Sequence, residues 1–268
     1  MSEQAPEVRK LPLRQVTWGA FSLPWQHRGE VFRATSIPLL AVIACTLVSD
    51  IADFNESRVA ALLLITLYGV ATSWLAIAVH RLVLLDAPDA SVRFDIPGLR
   101  RLAIFFGIVV SLWVLYQGLT LLIFSGILNI FSPPRYIPAG AEPGKVPERM
   151  NLPVSFEWIV NVGRALSYWI VARVTLMLPA IAIDRKADLI AAWSASRRNG
   201  WRLAIIVGAL PWCLQQLTNL LYRDGATLVE FGILVVLATI FVVVEVTALS
   251  LSYWELTSPA LPPTHPPA

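Results

Sequence analysis

Six long apolar stretches constrain this chain more than any other feature. They run Ile37–Phe54, Arg58–Leu85, Leu102–Phe131, Phe156–Ile183, Trp201–Tyr222 and Ala226–Trp254. A helix needs about 20 apolar residues to cross the hydrocarbon core of a bilayer. A membrane strand alternates in hydrophobicity over about ten. Stretches this long and evenly apolar predict helices, and the longer ones should tilt or run past the bilayer surface. The predicted fold is therefore all-α: a polytopic membrane bundle of six transmembrane helices over residues 37–256. A cytoplasmic and interfacial segment, residues 1–36, precedes it, with Trp18, Trp25, Arg14, Arg28 and Arg33 suited to headgroup level. A proline-rich tail, residues 257–268, should be disordered. Prolines mark three spans: Pro38 is expected in the first turn of span one, Pro179 near the end of span four, and Pro211 at a kink in span five.

Composition agrees. The 268 residues are 56% hydrophobic and 15% charged, with a mean hydropathy of +0.65. A soluble domain carries about 25% charged residues, and this apolar excess on a soluble surface would be adhesive. The basic pI does not signal nucleic acid, because the arginines flank apolar segments instead of clustering on one polar face. Cys45 and Cys213 both lie in apolar stretches and have no metal-ligand spacing. The polar N-terminus lacks the pattern of a secretory signal peptide, so the first apolar stretch is expected in the mature protein.

Basic residues set the expected orientation. Fourteen Lys and Arg fall before span one and in the connections after spans two and four, against five on the opposite side. Both termini are therefore expected in the cytoplasm. Two stretches also echo each other. Ala76–Arg81 (AIAVHR) matches Ala180–Arg185 (AIAIDR), and Arg101–Gly107 (RLAIFFG) matches Arg202–Gly208 (RLAIIVG). Spans two–three and four–five would then be parallel repeats of one hairpin. Coincidence within a small apolar alphabet is the alternative.

Ionisable residues inside spans are costly and draw functional attention. Arg173 lies ten residues from the cytoplasmic end of span four and Glu245 nine from that of span six. Matching depth predicts that they pair, either as a gate or proton-coupled site or as an ion pair that docks span six on span four. Arg164, Gln215, Asn219 and Glu230, with Asn161, Ser167 and Gln216, sit toward the outer half. They would form a polar cavity or interhelical hydrogen bonds. On the cytoplasmic side, Asp188 is expected to cap a short helix that Gly200 ends. Trp193, Arg197, Arg198 and Trp201 there are candidate interfacial lipid contacts, or a topogenic anchor.

Catalytic signatures are missing: no HExxH, no GxSxG, no P-loop and no GxGxxG. With three histidines and two cysteines, no metal cluster can be assembled. The expectation is a non-enzymatic chain with no cofactor.

The run LPAIAIDRKADLIAAWSASRRNGWRLAIIVG, with FSLPWQHRGEVFRATSIPLL and VHRLVLLDAP, resembles bacterial multi-span proteins. In pattern these are similar to the membrane domain of glycerophosphoryl diester phosphodiesterases and to the YciC-like proteins. The resemblance covers roughly a third of the chain. It implies a bacterial inner-membrane protein and, without a phosphodiesterase domain, carries no catalysis. The leading expectation is an accessory or scaffolding protein with membrane lipids, other membrane proteins or itself as partner, and no nucleic acid. A transporter of small solutes or lipids is the alternative. A scaffold should expose small-residue faces such as Gly69/Ser73 or Ala248/Ser252; a transporter needs a polar cavity at mid-depth.

Overall fold

The computed structural model describes residues 10–51, 57–85, 95–131, 155–221 and 228–257. Among them the regular structure is entirely helical. The elements are α1 (Leu13–Gln26), α2 (Arg28–Ile51), α3 (Arg58–Leu85), α4 (Ile96–Phe131), α5 (Ser155–Val174) and α6 (Met177–Ala182). Then come α7 (Leu189–Ala195), α8 (Gly200–Ala204), a π turn (Ile205–Ala209), α9 (Leu210–Leu221) and α10 (Leu228–Thr257). Five helical stretches are long and apolar enough to cross a membrane: Arg28–Ser49, Arg58–Leu85, Ile96–Gly126, Asn161–Ala182 and Val229–Thr257. The proline-rich tail lies outside the described residues.

Two prolines coincide with breaks in the helices. A proline in a helix cannot donate to the carbonyl four residues back. For Pro179 that carbonyl belongs to Thr175, where α5 gives way to α6. The Thr175 carbonyl instead accepts from the Leu178 amide at 2.9 Å. For Pro211 the carbonyl belongs to Val207, inside the π turn. The expected kink of span five is thus a π turn followed directly by the first turn of α9. Where a proline suits the start of a helix it is used so. Pro97 occupies the first turn of α4, and Asp95 caps that helix by accepting the Gly98 amide at 2.8 Å.

Span one differs from expectation. Its helix starts at Arg28, not Ile37, so Pro38 lies in the helix interior, where it is fully buried. The preceding segment is a helix of its own. On α1, Val16 and Ala20 are spaced four apart and face inward, while Trp18 and Trp25 are 74% and 72% exposed. The inward face packs on α10, and a Cβ on Gly19 would stand 2.9 Å from Leu251 Cδ1. A side chain at position 19 would therefore require the tip of Leu251 to shift.

The described core sits at one end of the bundle. On α3, Leu62, Leu63, Ile65 and Leu67 are exposed, whereas Ile77, Ala78, Val79 and His80 are buried. On α10, Val229, Ile233 and Ile240 are exposed, whereas Val244, Ala248, Leu249 and Tyr253 are buried. The buried end is the arginine-rich one, closed by α1, α6 and α8. His80 marks its centre. Ser250 already donates to the Val246 carbonyl at 2.8 Å, so His80 Nδ1 is the donor in its 2.7 Å bond to Ser250 Oγ.

The small-residue faces are used inside the chain rather than exposed. A Cβ on Gly69 would stand 2.7 Å from the Phe106 ring, and Ser73, Ala248 and Ser252 are buried. Close helix approach within one chain has consumed the surface that a partner was expected to find.

Candidate functional site

Three polar locks hold the arginine-rich end together, and each joins elements distant in sequence. The first centres on Asp184. Helix α6 ends with the Arg185 amide bonded to the Ala180 carbonyl at 2.8 Å and the Asp184 amide bonded to the Ile181 carbonyl at 3.1 Å. This is the Schellman arrangement, which puts Asp184 at the left-handed position usually held by glycine. Its φ is 60°. The turn aims the carboxylate at two arginines. Arg101 Nε donates to Oδ1 at 2.7 Å and its Nη2 to Oδ2 at 2.5 Å. Arg81 Nη1 bridges Oδ2 and the Ala182 carbonyl, each at 3.2 Å. One acid thereby ties the ends of α3, α4 and α6. In the sequence Arg81 and Arg101 stand out as topogenic charges and as the ends of echoed stretches, whereas Asp184 carries no signal as their partner.

The second lock encloses Arg173, which is 7% exposed. Its guanidinium lies between Trp169 and Trp193, 4.7 Å and 4.3 Å from their ring centroids. Nη2 donates to the Arg197 carbonyl at 2.9 Å. Stacked arginine is weakly hydrated and suits such a site better than lysine. Gly200 makes the room, because a Cβ there would meet Arg173 Nε at 2.8 Å and Trp169 Nε1 at 2.9 Å. Gly200 was expected to end the short cytoplasmic helix. It starts α8 instead, and the short helix ends at Ala195. Asp188 does cap that helix, accepting the Ile190 amide at 2.9 Å.

The expected Arg173–Glu245 pair is not formed. Arg173 is committed to two tryptophans and a carbonyl, and among the described residues Glu245 makes no ion pair. The depth expected of each residue leaves open which face of its helix each side chain takes. Glu245 is half-buried and lies within electrostatic reach of Tyr68 on α3 and Tyr168 on α5.

The third lock fixes the N-terminal segment. Asn199 Oδ1 accepts the Leu11 amide at 2.8 Å, and Arg202 Nη1 donates to the Leu11 carbonyl at 3.0 Å. Both backbone groups of a residue with 1% exposure are thus satisfied. Arg202 also lies 5.1 Å from the Trp201 ring centroid. Asn199 was not singled out from the sequence. Its signal was a turn-forming Asn-Gly pair immediately before a helix.

The remaining candidates scatter. Arg164 is exposed on α5, one turn before Tyr168, whose ring is 4.6 Å from that of Tyr116. Glu230 and Gln215 are exposed on α10 and α9 and do have partners. The side chain of Asn219 lies outside the described ones. Arg197 and Arg198 have exposed side chains, and Trp201 is 54% exposed. Trp193 shares one face of α7 with Leu189 and Ile190, both exposed, as an interfacial helix requires. Among the described residues no group of His, Cys, Asp or Glu could hold a metal ion.

Compared with protein-family models, curated proteins and solved structures, the chain matches none.

Proposed function

We propose that this chain is a non-enzymatic, multi-pass protein of the bacterial inner membrane that acts as an accessory or scaffolding component, with phospholipids and membrane proteins as partners. One observation carries the reading. The guanidinium groups of Arg81, Arg101, Arg173 and Arg202 are bound into the fold, whereas the outward faces of α3 and α10 expose large apolar side chains such as Leu62, Leu63, Ile233 and Ile240. Charges spent this way brace one end of a bundle and leave large apolar lateral faces, in place of the small-residue faces expected of a scaffold, for lipid or another span.

The run Gly200–Leu221 serves as the sixth crossing in this reading. Its 22 residues at about 1.5 Å each give roughly 33 Å, enough for a hydrocarbon core of about 30 Å. The fourteen-to-five bias in Lys and Arg favours cytoplasmic termini. A duplicated hairpin is supported by matching burial at Leu102 and Leu203, and at Phe105 and Ile206. The likeness to the membrane domain of glycerophosphoryl diester phosphodiesterases and YciC-like proteins points the same way.

A transporter is the second reading, favoured by the half-buried carboxylic side chain of Glu245 within an apolar helix. Cross-linking in native membranes and flux assays in proteoliposomes separate the two. The accessory reading expects a reproducible membrane-protein or lipid neighbour and no saturable flux. Saturable flux abolished by Glu245→Gln would overturn it.

A further inference from the structure

A cleft of about 430 Å³ opens sideways between α1, α2 and α10. Its size falls within the roughly 300–1,000 Å³ of small-ligand sites. Trp25 and Arg28 stand at its mouth, and Leu39 and Val244 lie along its length. Two polar side chains line the interior, and both are already engaged. Thr35 donates to the Val31 carbonyl at 2.7 Å, and Thr239 to the Val235 carbonyl at 2.8 Å. The interior therefore offers an occupant only apolar contact.

The mouth offers the opposite. Arg28 sits 5.9 Å from the Trp25 ring centroid and makes no ion pair among the described residues. The nearby acid, Glu30, lies 3.4 Å from His27 Nδ1 and makes no ion pair with Arg28. An uncommitted guanidinium beside an exposed tryptophan is suited to a phosphate at headgroup level. The distance between the two chemistries is informative. From Arg28 to Leu39 is eleven residues of helix, or about 16 Å. Half of a 30 Å hydrocarbon core is about 15 Å. The α2 residues that line the cleft thus span about the depth of one leaflet, with a cation at one end and no free polar side chain among the rest of the lining.

We propose that this cleft is a binding site for an anionic membrane glycerophospholipid, one acyl chain lying between α2 and α10 and the phosphate held by Arg28. The site deepens the accessory reading and rests on its membrane placement. That placement is checked first: release of the chain by alkaline carbonate overturns the membrane reading itself.

The full chain is then placed in nanodiscs of phosphatidylcholine containing a minor share of phosphatidylglycerol with a photoreactive acyl chain. Cross-links should concentrate on residues 236–244 of α10 and 31–39 of α2. The equally apolar outer face of α3 at Leu62, Leu63 and Ile65 should be labelled several-fold less. Arg28→Gln should lower retained phosphatidylglycerol about fivefold, the roughly 1 kcal/mol of one basic side chain at an anionic surface. Val243→Trp, which fills the cleft, should remove the preferred cross-links while leaving Arg28 in place. Even labelling over all outward faces would mean ordinary surrounding lipid and would overturn the proposal. So would equal retention by the wild type and Arg28→Gln. Neither outcome touches the accessory reading, which flux and neighbour identity decide.

Discussion

The Leu11 amide donates to Asn199 Oδ1 at 2.8 Å across 188 residues of chain. This bond and the Arg202 bond to the Leu11 carbonyl make the N-terminal helix part of the bundle. Asn199→Ala strands a buried amide, which costs about 1–3 kcal/mol. The expected result is lower thermal stability in detergent and faster amide exchange across Leu13–Gln26, with α3 and α4 unaffected. Unchanged exchange in α1 would show that its packing against α10 suffices without the anchor.

Asp184 joins an unfavourable backbone conformation to a favourable side-chain position. The left-handed φ costs a non-glycine residue about 1 kcal/mol. The carboxylate is 57% exposed, so solvent screens its arginine bonds to about 1 kcal/mol. Asp184→Gly loses the bonds and the backbone cost together and should be nearly neutral. Asp184→Ala loses the bonds and keeps the cost, so it should be less stable than the glycine variant by about 1 kcal/mol. Equal stability of the two would contradict the Schellman geometry at this turn.

Gly107 and Gly200 should respond oppositely to alanine. At Gly107 a Cβ meets nothing within 4 Å. Helix propensity alone then acts, and alanine stabilises by up to about 1 kcal/mol. At Gly200 the methyl collides with Arg173 and Trp169. Overpacking costs about 1–3 kcal/mol, and the displaced guanidinium should change the fluorescence of Trp169 and Trp193. A neutral Gly200→Ala would mean that the arginine cage yields easily.

Much of the architecture was legible because it follows from single-residue physics. Long apolar runs marked all five of the long helices, although the first run was read too short, and Pro211 marked the kink in span five. Asp188 announced its own cap. The start of α2 was missed because Arg28, Glu30 and Arg33 read as lead-in, although one helix carries them and the apolar run together. The locks were harder to read because each needs partners far apart in sequence. Asp184 with Arg81 and Arg101, and Asn199 with Leu11, depend on how helix ends converge, which periodicity does not encode. Arg173 and Glu245 show the opposite error. Position along the helix predicted the pair, but position along an axis fixes one coordinate and leaves the rotation of each helix open.

That rotation makes a quantitative prediction. If Arg173 is held by Trp169, Trp193 and the Arg197 carbonyl, its removal should be severe and independent of Glu245. Arg173→Leu gives up two cation–π contacts and a hydrogen bond from a charged donor to the Arg197 carbonyl, together about 2 kcal/mol or more. Arg173→Lys should recover only part, because an ammonium cannot stack between two rings. The double-mutant cycle of Arg173→Leu with Glu245→Gln separates this arrangement from an ion pair. Groups without a shared partner add to within about 0.3–0.5 kcal/mol, whereas a buried pair couples more strongly. Near-additive losses of stability are expected. A coupling energy above about 1 kcal/mol would place the two charges together and refute the caged geometry of Arg173.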